Sequence, residues 1–193
     1  MLRIQFSYRF MQEPHPHVIV MSRMKRIKRA CTIYLINTFL SGTHFYSIKR
    51  SLLNSIGIPC GKDTRVVGPM FLGNVSQVSF GDGVWVGREF KVYGNGSVSI
   101  GNNIDIAPDV AFVTGSHEIG DSRRRAGEGL SYQIAVRDGC WIGARSTILG
   151  NTTVREGCVI AAGAMVHRST DADSLYGGVP AKLIRRLDQQ ENK

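Results

Sequence analysis

Cysteine is scarce in this sequence. Cys31, Cys60, Cys140 and Cys158 are all there is, and their spacing matches no zinc motif. Long apolar runs are missing too. The run CTIYLINTFL has only about ten residues, where a membrane-spanning helix needs about twenty. It follows a basic stretch as a signal peptide would, but no clear small-residue cleavage site ends it. Acid is almost absent from the first sixty residues, where nine Lys and Arg face Glu13 alone. Nine minus one gives +8 of the chain's net +9, so the remainder is close to neutral. No recognition motif or basic stripe accompanies that charge, which argues against nucleic acid. A solvated basic arm, or attraction to anionic lipid head groups or a phosphorylated acceptor, remains. With 42% hydrophobic residues the chain is not of disordered composition, and its 193 residues suit one domain with appendages.

From Cys60 to Val166 neither a helix period of 3.6 nor a strand period of 2 is present. The period is six. Apolar anchors stand at Cys60, Val66, Leu72, Phe80, Val86, Val92, Ile100, Ile106, Phe112, Val136, Ile142, Ile148, Val154, Ile160 and Val166. A hexapeptide period signals a parallel β-helix. Taken in threes, the anchors make five coils. The two-residue expansions follow Leu72 and Val92 and the long interruption follows Phe112, so all irregularity sits at one corner of a three-sided prism. A second inward position lies four residues past each anchor. Thr64, Val84, Ile104, Val110, Cys140, Cys158 and Ala164 fill it, with Thr147 one place off. Cys140 and Cys158, eighteen residues apart, then stack inside the prism as small fillers, and reduced thiols are expected. At about 4.8 Å per coil the prism is about 24 Å tall, with edges that need caps.

The chain divides into a basic, partly helical region at 1–57, the β-helix at 58–187 with a loop at 113–133, and a tail at 188–193. Pro14, His15, Pro16 and His17 break any pattern in a leader that reads as an arm rather than as structure. Ser22 to about Leu40 reads as an amphipathic helix that packs on the prism or lies on a membrane. Tyr46 to Ile56 reads as a second helix, ended by Gly57, and His44 as structural or solvated. The loop is polar and glycine-rich, and loops of that length on rigid scaffolds tend to carry function. Gly177, Gly178 and Pro180 mark a turn, after which Ala181 to about Gln190 reads as a closing helix. His117 and His167 are the only histidines on or beside the prism. A histidine such as His117, opening a loop, serves as a base near neutral pH, although a lone loop histidine is more often simply exposed.

Together the repeat, the TGSH that opens the loop, VRDGCWIGARSTIL and YGGVPAKLIRRL resemble the hexapeptide-repeat acetyltransferases over about residues 58–187. That group includes maltose and galactoside O-acetyltransferases and enzymes of surface-polysaccharide pathways. The resemblance implies an all-β core, a left-handed parallel β-helix, and a homotrimer with sites between neighbouring prisms. It implies acetyl-coenzyme A as donor, a carbohydrate hydroxyl as acceptor, no metal, and a cytoplasmic location, with peripheral contact at the inner membrane face open. By it His117 is the general base, and the N–H of Ala144, after Gly143, faces the developing oxyanion. Ala162, His167 and Arg168 match positions along the pantetheine, where the family more often has Thr and Lys at the last two. Lys182 and Arg185 match residues near the nucleotide phosphates, a plain solvated helix face being the alternative.

Acceptor positions match less well. Gly87 stands where maltose-type enzymes have Asn, and Asn95 aligns roughly with an acidic acceptor contact. Trp141 points outward, to wall a cleft or to pack between subunits. A glycan repeat unit or lipid-linked sugar therefore suits the basic amino-terminal region better than a free small sugar. Glu118 and Asp121 are near His117 in sequence, without being identifiable as its orienting partner. Three other readings stay in view: acetyl transfer to an amine of an aminosugar nucleotide or amino acid, a non-catalytic scaffold, and a γ-class carbonic anhydrase. The last needs three histidines from neighbouring faces, and the prism has two.

Overall fold

The structure is a computed structural model and describes residues 21–73 and 75–187. Most of the leader at 1–22 and all of the tail at 188–193 lie outside the described residues.

The hexad register sets the three faces of the prism. On the first face Cys60, Phe80, Ile100, Val136 and Val154 stack in parallel register. Val66, Val86, Ile106, Ile142 and Ile160 stack on the second. On the third, Leu72, Val92, Phe112, Ile148 and Val166 do the same. All fifteen anchors are buried, the most exposed at 8%. Each contributes about 1.5–3 kcal/mol of burial, so the period itself is the core. The second inward file holds as well, with one correction. Ser146, buried with no hydrogen-bond partner for its hydroxyl among the described residues, fills the place beside Thr147. The register is strictly four residues on, and Thr147 is half-exposed.

A sixth turn lies above the five expected, since Ser174–Gly177 pairs with Val159–Ile160. The expected closing helix is instead a strand, Lys182–Arg186, antiparallel to Ser174–Gly177. The edge of the second face offers a row of unpaired main-chain groups, and the last segment takes them up. The segment at 113–133 leaves the prism as a two-stranded hairpin rather than as an irregular loop. Its strands, Gly115–Ile119 and Ala126–Ser131, pair only with each other.

Two helices cover the first coil, as expected: α1 (Arg23–Phe39) and α2 (Tyr46–Ser55). Ser22 caps α1 by accepting from the Lys25 N–H. Ile36, Leu53 and Ile58 extend the core beneath the prism. The open edge of Met70–Leu72 is met by the Asn37 amide, which donates to the Met70 carbonyl at 2.7 Å and accepts from its N–H at 2.9 Å. Arg29 and Lys49 are buried. Arg29 donates to the Ser76 and Gly73 carbonyls, and Lys49 to those of Gly42 and Val67. Two of the basic residues thus serve the fold. Burial lowers the pKa of each.

Candidate active site

His117 sits on the first strand of the hairpin, opposite Gly129, and is exposed. Its Nδ1 lies 3.1 Å from the Gly127 carbonyl oxygen. A carbonyl only accepts, so the contact places the proton on Nδ1 and leaves the Nε2 lone pair free. This is the orienting partner that sequence left unnamed. It is a main-chain atom across the hairpin rather than Glu118 or Asp121. Asp121 instead holds the hairpin turn, accepting from the N–H groups of Arg123 and Arg124, and those bonds hold its carboxyl below the usual range.

The hairpin springs from the corner between the third and first faces. Asn95 is exposed on the turn one coil below. There the Thr114 hydroxyl donates to the Tyr93 carbonyl and accepts from the Gly96 N–H. Asn95 and the root of the His117 hairpin are therefore neighbours. Close approach also fixes Gly94, where an added Cβ would come 2.4 Å from the Gly115 nitrogen.

Gly143, Ala144 and Ala162 occupy the opposite corner, between the second and third faces. The main chain hydrogen bonds there run from Gly143 to Ile160 and from Gly163 to Ala144. The N–H groups of Ala144 and Ala162 themselves have no partner among the described residues. In the coils below, the same corner position holds Gly68, Arg88 and Pro108. The N–H groups of Gly68 and Arg88 are likewise without a partner among the described residues, so what sets the upper two coils apart is the methyl side chain at that corner. Gly87 and Gly143 have another reason to be glycine. A Cβ on Gly143 would lie 2.6 Å from the Ala162 nitrogen, and one on Gly87 2.8 Å from the Ile106 oxygen. Both positions are explained by coil packing without a ligand.

One corner cluster was invisible in the sequence. The Asp109 carboxylate accepts from Lys91 and lies 3.7 Å from Arg145 Nε, next to Ala144. The Lys91 hydrogen bond holds Asp109 below the usual carboxylate range. These three residues come from three different coils, so no local motif announces them.

Trp141 is 57% exposed on the second face, away from His117. It stands in an outward file that runs from Arg65, Trp85 and Asp105 below to Val159, Leu175 and Arg185 above. On a plain strand Lys182 and Arg185, three apart, would point to opposite sides. A register shift between their partners prevents that. Lys182 pairs with Gly177 and Arg185 with Leu175, so both cations emerge on one face. His167 is half-buried where the third face ends, and its Nδ1 is buried without a partner among the described residues. Burial first, then the charge of exposed Arg168, lowers its pKa.

One chain therefore gathers Ala144, Ala162, Lys182 and Arg185 around the second face and its upper corner. His117 and Asn95 stand at the far edge of the third face, and His167 and Arg168 end that face two coils higher.

Residues 135–168 match the family described as bacterial transferase hexapeptide (six repeats). A galactoside O-acetyltransferase from Escherichia coli (strain K12) is 25% identical over 143 residues, which is 74% of this chain and 70% of that one. The fold is that of a hexapeptide-repeat-containing acetyltransferase from Vibrio cholerae, with a TM-score of 0.75 and 25% identity over 86% of this chain and 92% of the other. A galactoside acetyltransferase in complex with coenzyme A shares the fold at TM-score 0.67 and 21% identity, covering 86% of this chain and 82% of its own. In repeat and coil architecture the chain has the hexapeptide-repeat left-handed β-helix fold, and in sequence it is similar to acetyltransferases built on that fold.

Proposed function

We propose that the chain transfers an acetyl group from acetyl-coenzyme A to a hydroxyl of a carbohydrate, such as a glycan repeat unit or a lipid-linked sugar. The observation that carries this reading is the His117 ring, tethered through Nδ1 and offering Nε2 to solvent. The likeness to a galactoside O-acetyltransferase supports the substrate class, and the structure of a galactoside acetyltransferase in complex with coenzyme A supports the donor.

In this reading Nε2 of His117 accepts the hydroxyl proton as that oxygen bonds to the thioester carbonyl carbon. The Ala144 N–H, free in the fold, donates to the carbonyl oxygen as it gains charge. The carbon–sulfur bond then breaks, and the imidazolium returns the proton to the departing sulfur. Products are an acetyl ester and free coenzyme A. General-base help contributes about 10²–10⁴-fold, and alignment of the two substrates supplies much of the rest. Ala162 lines the thioester arm, with His167 and Arg168 beyond it. Lys182 and Arg185, on one face of the closing strand, suit the phosphates. Asn95 borders the acceptor beside His117, and Trp141 reaches it from the neighbouring chain's second face.

Assembly as a homotrimer belongs to the same proposal. Within one chain the base and the free N–H groups lie at opposite edges of the third face, so a neighbouring chain's corner completes the site. A cytoplasmic location with a peripheral seat on the membrane also belongs to it. Among the described residues no helix is long and apolar enough to cross a membrane.

The test is direct. Purified protein is given acetyl-coenzyme A and a panel of glycans, and both thiol release and acceptor mass are followed. A gain of one acetyl, labile to mild alkali, is the expected result. An alkali-stable acetyl would move the reading to an amine acceptor, and no binding of coenzyme A would leave only a scaffold.

A further inference from the structure

α1 is turned the wrong way for an ordinary amphipathic helix. Its contacts with the first coil are made largely by polar side chains: Arg29 on the Ser76 and Gly73 carbonyls, and Asn37 on both main-chain groups of Met70. Ile36 is its one fully buried apolar residue. The outward arc carries Met24, Ile27, Tyr34, Leu35 and Phe39, from 40% to 81% exposed. At about 100° per residue these fall within about 140° of arc. Phe45 and Ile48, both about half exposed, continue the patch into α2. Seven of the fourteen large apolar side chains exposed among the described residues thus lie between Met24 and Ile48. That concentration marks an interaction surface.

Charge decides what covers it. Residues 21–60 contain no Asp or Glu. Arg23, Lys25 and Arg26 are exposed at the start of α1, with Arg23 and Lys25 flanking the arc on either side and Lys28 within it, its amine turned to the Ser55 carbonyl at 2.9 Å. A second copy docked through the same face would set cation against cation. An anionic bilayer surface accommodates both features: apolar side chains enter the acyl boundary while the flanking cations stay with the phosphates. At 17 residues α1 is about 25 Å long, a length suited to lying in the interface plane.

We infer that the outer face of α1 docks on an anionic phospholipid bilayer, with Met24, Ile27, Tyr34, Leu35 and Phe39 as the inserted side chains. The inference rests on the peripheral seat proposed above and names the surface that makes it. It does not depend on the acetyl-transfer chemistry.

The experiment is co-sedimentation of the full chain with vesicles of phosphatidylglycerol and phosphatidylcholine, and with phosphatidylcholine alone. Wild type should bind the anionic vesicles about tenfold more strongly or better, and added salt should weaken the binding. Leu35→Glu/Phe39→Glu changes two exposed positions, so its circular dichroism and melting should match wild type, while vesicle binding should fall about tenfold or more. Equal binding by this variant, or no binding of wild type to anionic vesicles, overturns the inference. So does a change in the variant's sedimentation coefficient without lipid, which would assign the face to another copy. His117→Ala should keep vesicle binding and lose acetyl transfer, and Leu35→Glu/Phe39→Glu should keep acetyl transfer to a soluble acceptor. The two readings therefore fail separately.

Discussion

The Gly127 carbonyl oxygen holds Nδ1 of His117 at 3.1 Å across the hairpin, which settles the tautomer before any substrate arrives. Replacing His117 with Ala should lower kcat by about 10²–10⁴-fold. Coenzyme A affinity, read by calorimetry, should not change. Equal turnover by the variant would remove the base from the mechanism.

Ala144→Pro isolates one hydrogen bond donor. Pro108 already occupies the equivalent corner position, so the backbone there accepts proline. The variant should keep its melting temperature and lose about 10²–10³-fold in kcat, the scale of an oxyanion donor. A loss of stability with unchanged activity in the folded fraction would refute the assignment.

Lys182→Glu and Arg185→Glu should each raise KM for acetyl-coenzyme A by about tenfold, with kcat at saturation little changed, because both cations sit on one face of the closing strand and suit phosphate. Initial-rate kinetics over a range of donor concentration reads this. An effect confined to kcat would place them elsewhere in the reaction.

His167 carries a pH signature. Burial lowers its pKa below the ordinary 6.5, so the folded chain disfavours the charged form. The unfolded chain then binds more protons just below pH 6.5. Stability is full above that value and declines as pH falls toward the lowered folded value. Denaturant melts of His167→Gln across this window should show a shallower decline than wild type. Parallel curves would contradict the burial argument.

Thiol accessibility reports on the core. Cys60 and Cys140 are buried and pushed up to about 12 by desolvation, Cys158 is fully buried, and Cys31 is exposed. A thiol reagent at mildly alkaline pH should modify Cys31 rapidly in the native protein and the others only on unfolding. Rapid labelling of Cys140 or Cys158 would mean that the upper coils open.

Much of this was written in the spacing. Fifteen anchors at hexad intervals fixed which residue stacks on which, because each coil repeats one steric solution. The corner cations could not be read that way, since Lys91, Asp109 and Arg145 meet only through stacking. Ala181–Gln190 misled because Lys, Leu, Arg and Gln suit a helix, whereas the open edge above Ser174–Gly177 rewards a strand. The hairpin was hidden for a related reason. Its glycine-rich strands show no alternation, and their pairing reveals itself only in three dimensions. The α1 helix was legible as a helix but not as to which side faces in. Arg29 and Asn37 win the inner side because unpaired main-chain groups at the first coil need donors and acceptors.

Insertions in this prism are confined to one corner, where the expansions after Leu72 and Val92 and the hairpin after Phe112 all emerge. Lengthening or trimming the chain there re-aims an imidazole without shifting a single wall residue. Acceptor choice can consequently drift over generations of sequence change while the thermal robustness of the column is inherited intact.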